Sequence, residues 1–200
     1  MQIILATHNQ GKNEEVKYIF TDLKDVEIIS LDEVGITDDV EEDGKTIEEN
    51  ALKKANYIAS KTSQWVMADD TGIYIKALGG KPGAYPARWG GKDLKGRDKM
   101  NFVLRQMKNI PESKRNACFK TAVALISPHK EKWYFEGRIN GIIVKKIIGT
   151  PDNFLPYDTL FQPEGYNITF SQMLENEKNK ISHRAQAFIK TKEFLKNHIK

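Results

Sequence analysis

The chain opens with an apolar strand pattern that leads through a polar turn into a helix pattern. Residues 3–6 (IILA) form a continuous apolar run, typical of a strand buried on both faces of a parallel sheet. Residues 9–11 (NQG) form the turn, and apolar residues at 16, 19, 20 and 23 then recur at helical spacing. Backbone N–H groups near residues 10–13 should therefore lie at a helix N-terminus, where anions bind.

Strand and helix patterns continue to alternate through the first half of the chain. Residues 26–31 (VEIISL) predict a second strand. Thr46 and Glu49 form a capping-box pattern before an apolar helical face, which predicts a helix over residues 46–62. WVMADD, ending at Asp70, predicts a third strand, and residues 73–78 (IYIKAL) predict a separate fourth one.

The second half of the chain pairs its strands differently. A Gly- and Pro-rich loop at 79–93 precedes a helix expected over 98–109, and residues 116–127 and 133–144 then predict a long antiparallel hairpin. A loop over 148–168, a short helix near 169–179 and a helix opening at Ser182 follow. Strands alternate with helices in the first half of the chain and pair as a hairpin in the second half. This order indicates a three-layer α/β/α fold on a central mixed sheet.

Composition narrows the class of protein. The 200 residues are 40% hydrophobic and 29% charged, as expected of one globular domain spanning residues 1–200. The single cysteine, Cys118, excludes an intramolecular disulfide and is expected to be a small buried hydrophobic residue.

Charge and hydropathy bear on partners and location. The formal net charge is +4. The basic residues do not cluster with interleaved aromatic residues, as they would on a polynucleotide-binding surface. No apolar stretch reaches the length of a membrane span, and the first residues lack the pattern of a secretory leader. We therefore expect a cytoplasmic protein with neither a polynucleotide nor a membrane partner.

Several common catalytic templates do not fit. Residues 44–46 read GKT, but a phosphate-binding loop requires a glycine where Asp39 stands. The sequence has neither G-x-G-x-x-G nor G-x-S-x-G, and its four histidines lack metal-ligand spacing. These absences argue against zinc and serine-hydrolase chemistry.

Carboxylates remain as candidate catalytic groups. Asp69 and Asp70 end the predicted third strand, at the sheet edge where open α/β sheets bind ligands. Neighbouring strand residues point to opposite faces, so one should face the cleft while the other anchors the turn. Together with Glu42, an aspartate could hold Mg²⁺, which needs only one or two protein carboxylates. Taken alone, the pair fits a capped turn equally well, and the turn at 9–11 fits an ordinary strand-to-helix connection.

Four segments in order resemble the inosine triphosphate pyrophosphatases, also called non-canonical purine nucleoside triphosphate pyrophosphatases. They are ATHNQGK, EEDGKTIEENALKKA, ADDTGIYIKALGGKPGAYPARW and ENEKNKISHRAQAF, and the match that they mark runs in this order along nearly the whole chain. The resemblance implies two lobes flanking a nucleotide cleft, a homodimer, and Mg²⁺-dependent hydrolysis of a purine nucleoside triphosphate between the α and β phosphates. The products would be a monophosphate and pyrophosphate, and the reaction would remove deaminated purines from the nucleotide pool.

The resemblance also implies residue roles. Asp70 would be the base that activates water, and Glu42 with Asp69 or Asp70 would bind the metal. Thr7, Asn9, Lys12 and Lys54 would hold the triphosphate, while Lys178, His183 and Arg184 would read the 6-keto group of the base. The remaining substrate-binding residues implied by position are His8, Gln10, Gly11, Thr71, Leu155, Pro156, Tyr157 and Asp158.

One segment departs from the family pattern. Where the family carries G-F-G-Y-D-P-I-F, this chain reads NFLPYDTLF over residues 153–161. Leu155 stands where the base-stacking aromatic is usual, and Pro156 stiffens the loop. One hypothesis is that Phe154 takes over stacking; a Phe154→Ala variant with an unaltered KM for inosine triphosphate would contradict it.

Two alternatives stay open. The protein could perform the same pyrophosphohydrolysis with a different base preference, because the changed segment lies where the base is expected. It could also be a nucleotide-binding protein that has lost turnover, although the presence of Lys12, Glu42, Asp69 and Asp70 argues against that.

Overall fold

The computed structural model describes residues 1–91, 93–151 and 155–198. Within these residues the strands are β1 (Gln2–Leu5), β2 (Glu27–Ser30), β3 (Trp65–Ile75), β4 (Pro82–Gly83), β5 (Asn116–Ile126), β6 (Lys132–Ile143) and β7 (Phe161–Pro163). The helices are α1 (Gln10–Phe20), α2 (Ile47–Lys61), α3 (Gly96–Gln106), α4 (Glu175–Ile181) and α5 (His183–His198). None of the helices described is long and apolar enough to cross a membrane.

The strands form one mixed sheet in the order β2-β1-β3-β5-β6-β7, with β4 paired to β3. β1 pairs in parallel with β2 and β3, so that Ile4 lies between Ile29 and Val66. The other pairs are antiparallel, including the long β5–β6 hairpin that the sequence predicts.

Helices cover both faces of this sheet. The apolar side of α2 packs on one face around Ile4, Val66 and Ala124, while α1 and α5 pack on the other around Leu5, Met67 and Phe188. β3, β5 and β6 extend beyond β1 into a second region, where α3, β7 and the α4 segment surround Phe119 and Phe161. The predicted three-layer α/β/α fold on a mixed sheet is confirmed.

The largest error of the sequence prediction concerns β3. Residues 65–70 and 73–78 were expected to be two strands, but Trp65–Ile75 is one continuous strand. β5 pairs with it without interruption from Val66 to Ile75, so the backbone hydrogen bonds continue past the two aspartates. Asp69 and Asp70 can stay inside a strand because buried cations neutralise their side chains, which local propensity does not reveal.

Other predicted boundaries also differ from the structure. The loop over 148–168 contains the short strand β7, which the sequence analysis missed. The helix expected near 169–179 is a 3-10 turn at Phe170–Gln172 followed by α4. Cys118 is only half-buried, because it lies on the partly open face of β5.

Candidate active site

The turn after β1 is built by short polar side chains that hydrogen-bond to its own backbone. Asn9 caps α1, with its Oδ1 accepting from the Lys12 N–H at 3.0 Å, and the Thr7 Oγ1 accepts from the Asn9 N–H at 3.2 Å. His8 Nε2 lies 3.0 Å from the Asp38 carbonyl oxygen. This turn therefore presents the α1 N-terminus beside the end of β1, as the sequence predicts.

Asp69 lies on the face of β3 that packs against α1 and α5. Its Oδ2 is 3.0 Å from Lys12 Nζ and 3.5 Å from Arg184 Nε, and the residue is 0% exposed. Burial opposes ionisation, but Lys12, Arg184 and Lys54 hold the pKa of Asp69 well below its usual value. Burial in turn lowers the pKa of Lys12. Asp69 thus fixes two cations from different helices.

Asp70 lies on the opposite face of β3, against α2. Its Oδ2 accepts a hydrogen bond from Asn50 Nδ2 at 2.9 Å, and its Oδ1 accepts from the Thr71 N–H at 2.9 Å. Burial raises the pKa of Asp70 to about 6, although Lys54 and Lys12 oppose the shift. A carboxyl group with this pKa is mainly ionised at neutral pH and can still accept a proton.

The acidic loop before α2 joins this group through Lys54. Lys54 Nζ donates to Glu42 Oε1 at 2.6 Å and to the Asp69 carbonyl oxygen at 2.6 Å, and it lies 4.0 Å from Asp70 Oδ1. Burial lowers the pKa of Lys54, but Asp70 and Glu42 raise it overall. Glu42 and Asp70 therefore approach one common point.

The start of α2 matches the predicted capping box in one half only. Thr46 Oγ1 accepts from the Glu49 N–H at 3.2 Å, whereas Glu49 Oε2 accepts from the Lys45 N–H at 2.6 Å rather than from Thr46. The cap still starts α2 so that Asn50 and Lys54, one turn apart, share its inner face.

A buried network of ion pairs links α1, α4 and the start of α5. Glu15 of α1 pairs with Lys178 of α4 and with Arg184 of α5, and Lys178 Nζ also lies 2.5 Å from Asp158 Oδ2. Burial opposes ionisation of Glu15, but Arg184 and Lys178 lower its pKa overall. The network fixes the start of α5 relative to α1.

His183, the first residue of α5, is buried beside this network. Its ring stacks on the ring of Phe119 with a centroid separation of 4.3 Å and an interplanar angle of 5°. Burial, with the charges of Arg184 and Lys178, lowers the pKa of His183 well below its usual value, so the imidazole is neutral. Within the described part of the chain, its Nδ1 is buried without a hydrogen-bond partner.

α5 reaches this position because β6 carries a glycine beneath it. A Cβ at Gly137 would overlap the His183 carbonyl oxygen and lie 2.6 Å from the Ala187 N atom. Only a residue without a side chain lets the first turn of α5 lie this close to the sheet.

These groups meet in one cleft of about 530 Å³. Its lining includes the predicted site residues Thr7, His8, Asn9, Lys12, Glu42, Lys54, Asp70, Thr71, Leu155, Pro156, Tyr157, Asp158, His183 and Arg184. Four other predicted residues, Gln10, Gly11, Asp69 and Lys178, adjoin the cleft through α1, β3 and α4 without contributing to its lining. Phe154 falls outside the described residues, so its stacking on a base stays a prediction.

Sequence reasoning missed four residues that organise this cleft: Glu15, Asn50, Tyr85 and Phe119. Tyr85 donates through its hydroxyl to the Gly44 carbonyl oxygen at 2.6 Å, and Tyr157 donates likewise to the Pro86 carbonyl oxygen at 3.2 Å. A loop at 84–88 is thereby tied to both the acidic loop and the 155–158 segment. The one available signal was a charged or amide side chain on an otherwise apolar helix face, as at Glu15 and Asn50.

The donor set near Lys54 suits Mg²⁺. Glu42 and Asp70 supply hard carboxylate oxygens that already converge on a single cation, the Lys54 ammonium. No cluster of three or more His, Cys, Asp or Glu suited to a metal occurs among residues 1–91, 93–151 and 155–198. Two carboxylates completed by phosphate oxygens and water are the usual protein environment of Mg²⁺.

Comparisons with known proteins identify the family of this chain. Residues 3–194 match the model of the Ham1 family. A dITP/XTP pyrophosphatase from Thermoanaerobacter pseudethanolicus is 40% identical over 195 residues, covering 98% of this chain and 96% of the relative.

Solved structures of Ham1 proteins share this fold. A Ham1 protein from Coxiella burnetii superposes with a TM-score of 0.86 at 31% identity, and one from Staphylococcus aureus with 0.84 at 32%; each comparison covers 98% of this chain and 99% of the other.

The mixed sheet and its cation- and carboxylate-lined cleft define an α/β protein with a site for a polyanionic ligand. The chain belongs to the Ham1 family.

Proposed function

We propose that this protein is a Mg²⁺-dependent pyrophosphohydrolase of non-canonical purine nucleoside triphosphates. It converts inosine, deoxyinosine and xanthosine triphosphates to monophosphates and pyrophosphate. The observation that carries the proposal is a single cleft, whose lining brings Lys12, Lys54 and Asp70 together with His183 and Arg184. The 40%-identical relative, a dITP/XTP pyrophosphatase, supports the substrate class.

The triphosphate binds at the end of β1. Lys12 and Lys54 supply positive charge, and the Thr7 and Asn9 side chains with the α1 N-terminus, including Gln10 and Gly11, supply short donors. Asp69 keeps Lys12 in place from behind, since its carboxylate is buried against that ammonium. Such preorganised charges stabilise a transition state that spreads negative charge over phosphate oxygens.

Glu42 and Asp70 are the proposed metal ligands. When bound there, Mg²⁺ neutralises charge on the triphosphate oxygens. Lys54 Nζ lies close to both carboxylates and so keeps their side chains near each other. Asp69, the other carboxylate that the resemblance implies as a metal ligand, lies on the opposite face of β3, where Lys12 and Arg184 contact its Oδ2.

Asp70 is the proposed general base. Its carboxylate is oriented by Asn50 and by the Thr71 N–H. It takes a proton from the attacking water while the water oxygen bonds to the α phosphorus. The bond between the α phosphorus and the oxygen that bridges the α and β phosphates breaks, and pyrophosphate leaves. A positioned base of this kind contributes roughly 10²–10⁴-fold to a rate.

The base is read beside the start of α5. His183 and Arg184 line the cleft beside Asp158, which Lys178 holds at 2.5 Å. Donors here satisfy the 6-keto oxygen of hypoxanthine or xanthine, whereas the 6-amino group of adenine leaves a donor facing a donor. An unpaired buried polar group costs about 1–3 kcal/mol. Leu155, Pro156 and Tyr157 form the adjoining wall, where the usual stacking aromatic is replaced.

The homodimer is proposed from the resemblance, and the domain organisation and the cellular setting are proposed from length and composition. We assign one domain spanning residues 1–200 to a cytoplasmic homodimer without polynucleotide or membrane partners. The single free cysteine is consistent with a reducing compartment.

A substrate panel tests the proposal. The kcat/KM for dITP, XTP, dGTP, dATP and dCTP is measured with Mg²⁺ and again with EDTA. We expect dITP and XTP to exceed dATP at least about tenfold, as one or more unpaired polar groups predict, and EDTA to abolish turnover. A preference for a canonical nucleotide would favour the same chemistry with altered base choice, and tight binding without turnover would contradict an enzyme.

A further inference from the structure

Phe119 is the residue of β5 on which the His183 imidazole rests. The two rings are nearly parallel, 5° apart in plane and 4.3 Å apart in centroid. Phe119 is 5% exposed and His183 is 3% exposed, yet both line the cleft. A buried stack of this kind leaves the imidazole few orientations, since tilting it would separate the two faces or drive the rings together.

Phe119 is itself held from two other sides. The ring of Phe161 meets it edge-on at 4.7 Å and 67°, and the ring of Phe170 lies 6.3 Å away at 28°. Phe170 also lies 6.2 Å from the His183 ring at 26°. The imidazole therefore rests on a platform of interlocked aromatic rings and not on one mobile side chain.

The start of α5 fixes the other end of the same histidine. Ser182 Oγ accepts from the Ala185 N–H at 3.0 Å, and the first turn lies directly on Gly137 of β6. With the backbone fixed from below and the ring fixed by Phe119, the neutral imidazole presents its nitrogens in one orientation. Hydrogen bonding depends steeply on such alignment, so a ring free to tilt discriminates less between an acceptor and a donor on the base.

We propose that Phe119 is a positioning residue for base selection, which acts by holding the His183 ring in a fixed plane at the base end of the cleft. This inference rests on the proposed function, because it assigns the selectivity of that same site. Phe119 contributes no polar group of its own, and its role is the orientation of the histidine.

Two substitutions separate positioning from packing. Phe119→Leu removes the flat face under His183, and Phe119→Met does the same with a more adaptable side chain in case the leucine variant folds poorly. Phe20→Leu is the matched control, because the Phe20 ring is also buried, meets the Phe188 ring edge-on at 6.4 Å and does not line the cleft. All three variants lose a buried aromatic ring.

The first readout is the ratio of kcat/KM for dITP to that for dATP. We expect Phe119→Leu and Phe119→Met to lower this ratio at least fivefold, mainly through KM for dITP, while Phe20→Leu stays within twofold of the wild-type ratio. Equal changes in the Phe119 and Phe20 variants would overturn the proposal, because they would indicate a general effect of packing.

The second readout does not need turnover. Dissociation constants for dITP and dATP are measured in EDTA, and the His183 ring signals are followed by NMR. We expect the Phe119 variants to lose the ring-current shift of His183 and the binding preference together. Lost stacking with an unchanged binding ratio overturns the positioning role. Absent turnover with an intact, Phe119-dependent binding ratio contradicts the proposed hydrolysis and supports the role of Phe119.

Discussion

Asp69 and Asp70 are adjacent in β3, and their carboxylates are bound by different helices on opposite faces of the sheet. Asp69 Oδ2 lies 3.0 Å from Lys12 Nζ of α1, while Asp70 Oδ2 accepts from Asn50 Nδ2 of α2 at 2.9 Å. The strand alternation that separates them also separates their roles: one carboxylate fixes cations and the other faces the cleft.

Replacement of Asp70 by asparagine should remove turnover and leave nucleotide binding intact. The variant keeps the shape of the side chain but loses the proton acceptor, so we expect kcat for dITP to fall roughly 10²–10⁴-fold. The dissociation constant for dITP, measured by calorimetry in EDTA, should stay within about threefold, a margin smaller than the effect of one lost hydrogen bond.

Asp69→Asn is the informative comparison for that variant. Loss of its charge leaves Lys12 and Arg184 with a neutral partner in a buried setting, so this variant should lose stability and triphosphate affinity. If instead Asp69→Asn loses only turnover while Asp70→Asn keeps it, the assignment of the base is wrong.

Asn50 should matter to catalysis although its side chain is fully buried. Its Oδ1 accepts from the Gly44 N–H at 2.8 Å and its Nδ2 donates to Asp70, so it joins the acidic loop to the Asp70 carboxylate. Asn50→Ala leaves both partners unpaired, and we expect a loss of about 1–3 kcal/mol in unfolding free energy together with lower kcat.

Thr46→Ala provides the control for Asn50, because it weakens the same helix without contacting Asp70. Removing this cap should cost about 1 kcal/mol of stability and leave kcat unchanged. Equal kcat values in the two variants, measured where both are folded, would show that Asn50 supports only α2.

Gly137→Ala should displace the start of α5. The added methyl group overlaps the His183 carbonyl oxygen, so we expect a stability loss of about 1–3 kcal/mol and a higher KM for dITP. An unchanged KM for dITP in a Gly137→Ala variant that has lost this stability would contradict a role for Gly137 in placing α5.

The pH dependence of stability should contain a contribution from His183. Burial lowers its pKa in the fold, so below pH ~6.5 the unfolded chain binds a proton that the native protein does not. Its contribution to the free energy of unfolding is therefore present above pH ~6.5 and is lost as pH falls from ~7.5 to ~5.5. Arg184, Lys178 and Lys12 strengthen this effect, and Asp69 opposes it.

Asp70 changes the free energy of unfolding in the opposite sense. Because its pKa is raised in the fold, the native state gains stability relative to the unfolded chain as pH falls toward 6 and below. The test is consequently a difference: urea unfolding of wild type and His183→Asn at both pH values. The variant should lose less stability on acidification than wild type. Parallel pH profiles would show that His183 is not held neutral.

Much of the fold follows from hydrophobic periodicity. The run at residues 3–6, the apolar face of α2 and the β5–β6 hairpin all have patterns that local sequence specifies, and each element lies where it was predicted. The continuity of β3 does not follow in this way, because Asp69 and Asp70 are stabilised by cations from distant segments. β7 is not predictable from local sequence either, because it is only three residues long and is defined by its pairing with one end of β6.

The site was predictable to a different extent. Polar residues in loops and at strand ends, such as Asn9, Lys12 and Glu42, stand out from their surroundings and line the cleft as expected. The residues that support them do not stand out: Phe119 reads as an ordinary core residue and Gly137 as an interruption of a strand. Their roles depend on the distance to His183, which only the folded chain defines.

Product analysis with dITP tests the central claim most directly. Wild-type protein is incubated with dITP and Mg²⁺, and phosphate release is measured with and without added inorganic pyrophosphatase. The proposed cleavage between the α and β phosphates predicts dIMP and one pyrophosphate per turnover, with orthophosphate seen only after the added enzyme acts. Direct release of orthophosphate with dIDP as the nucleotide product would contradict it.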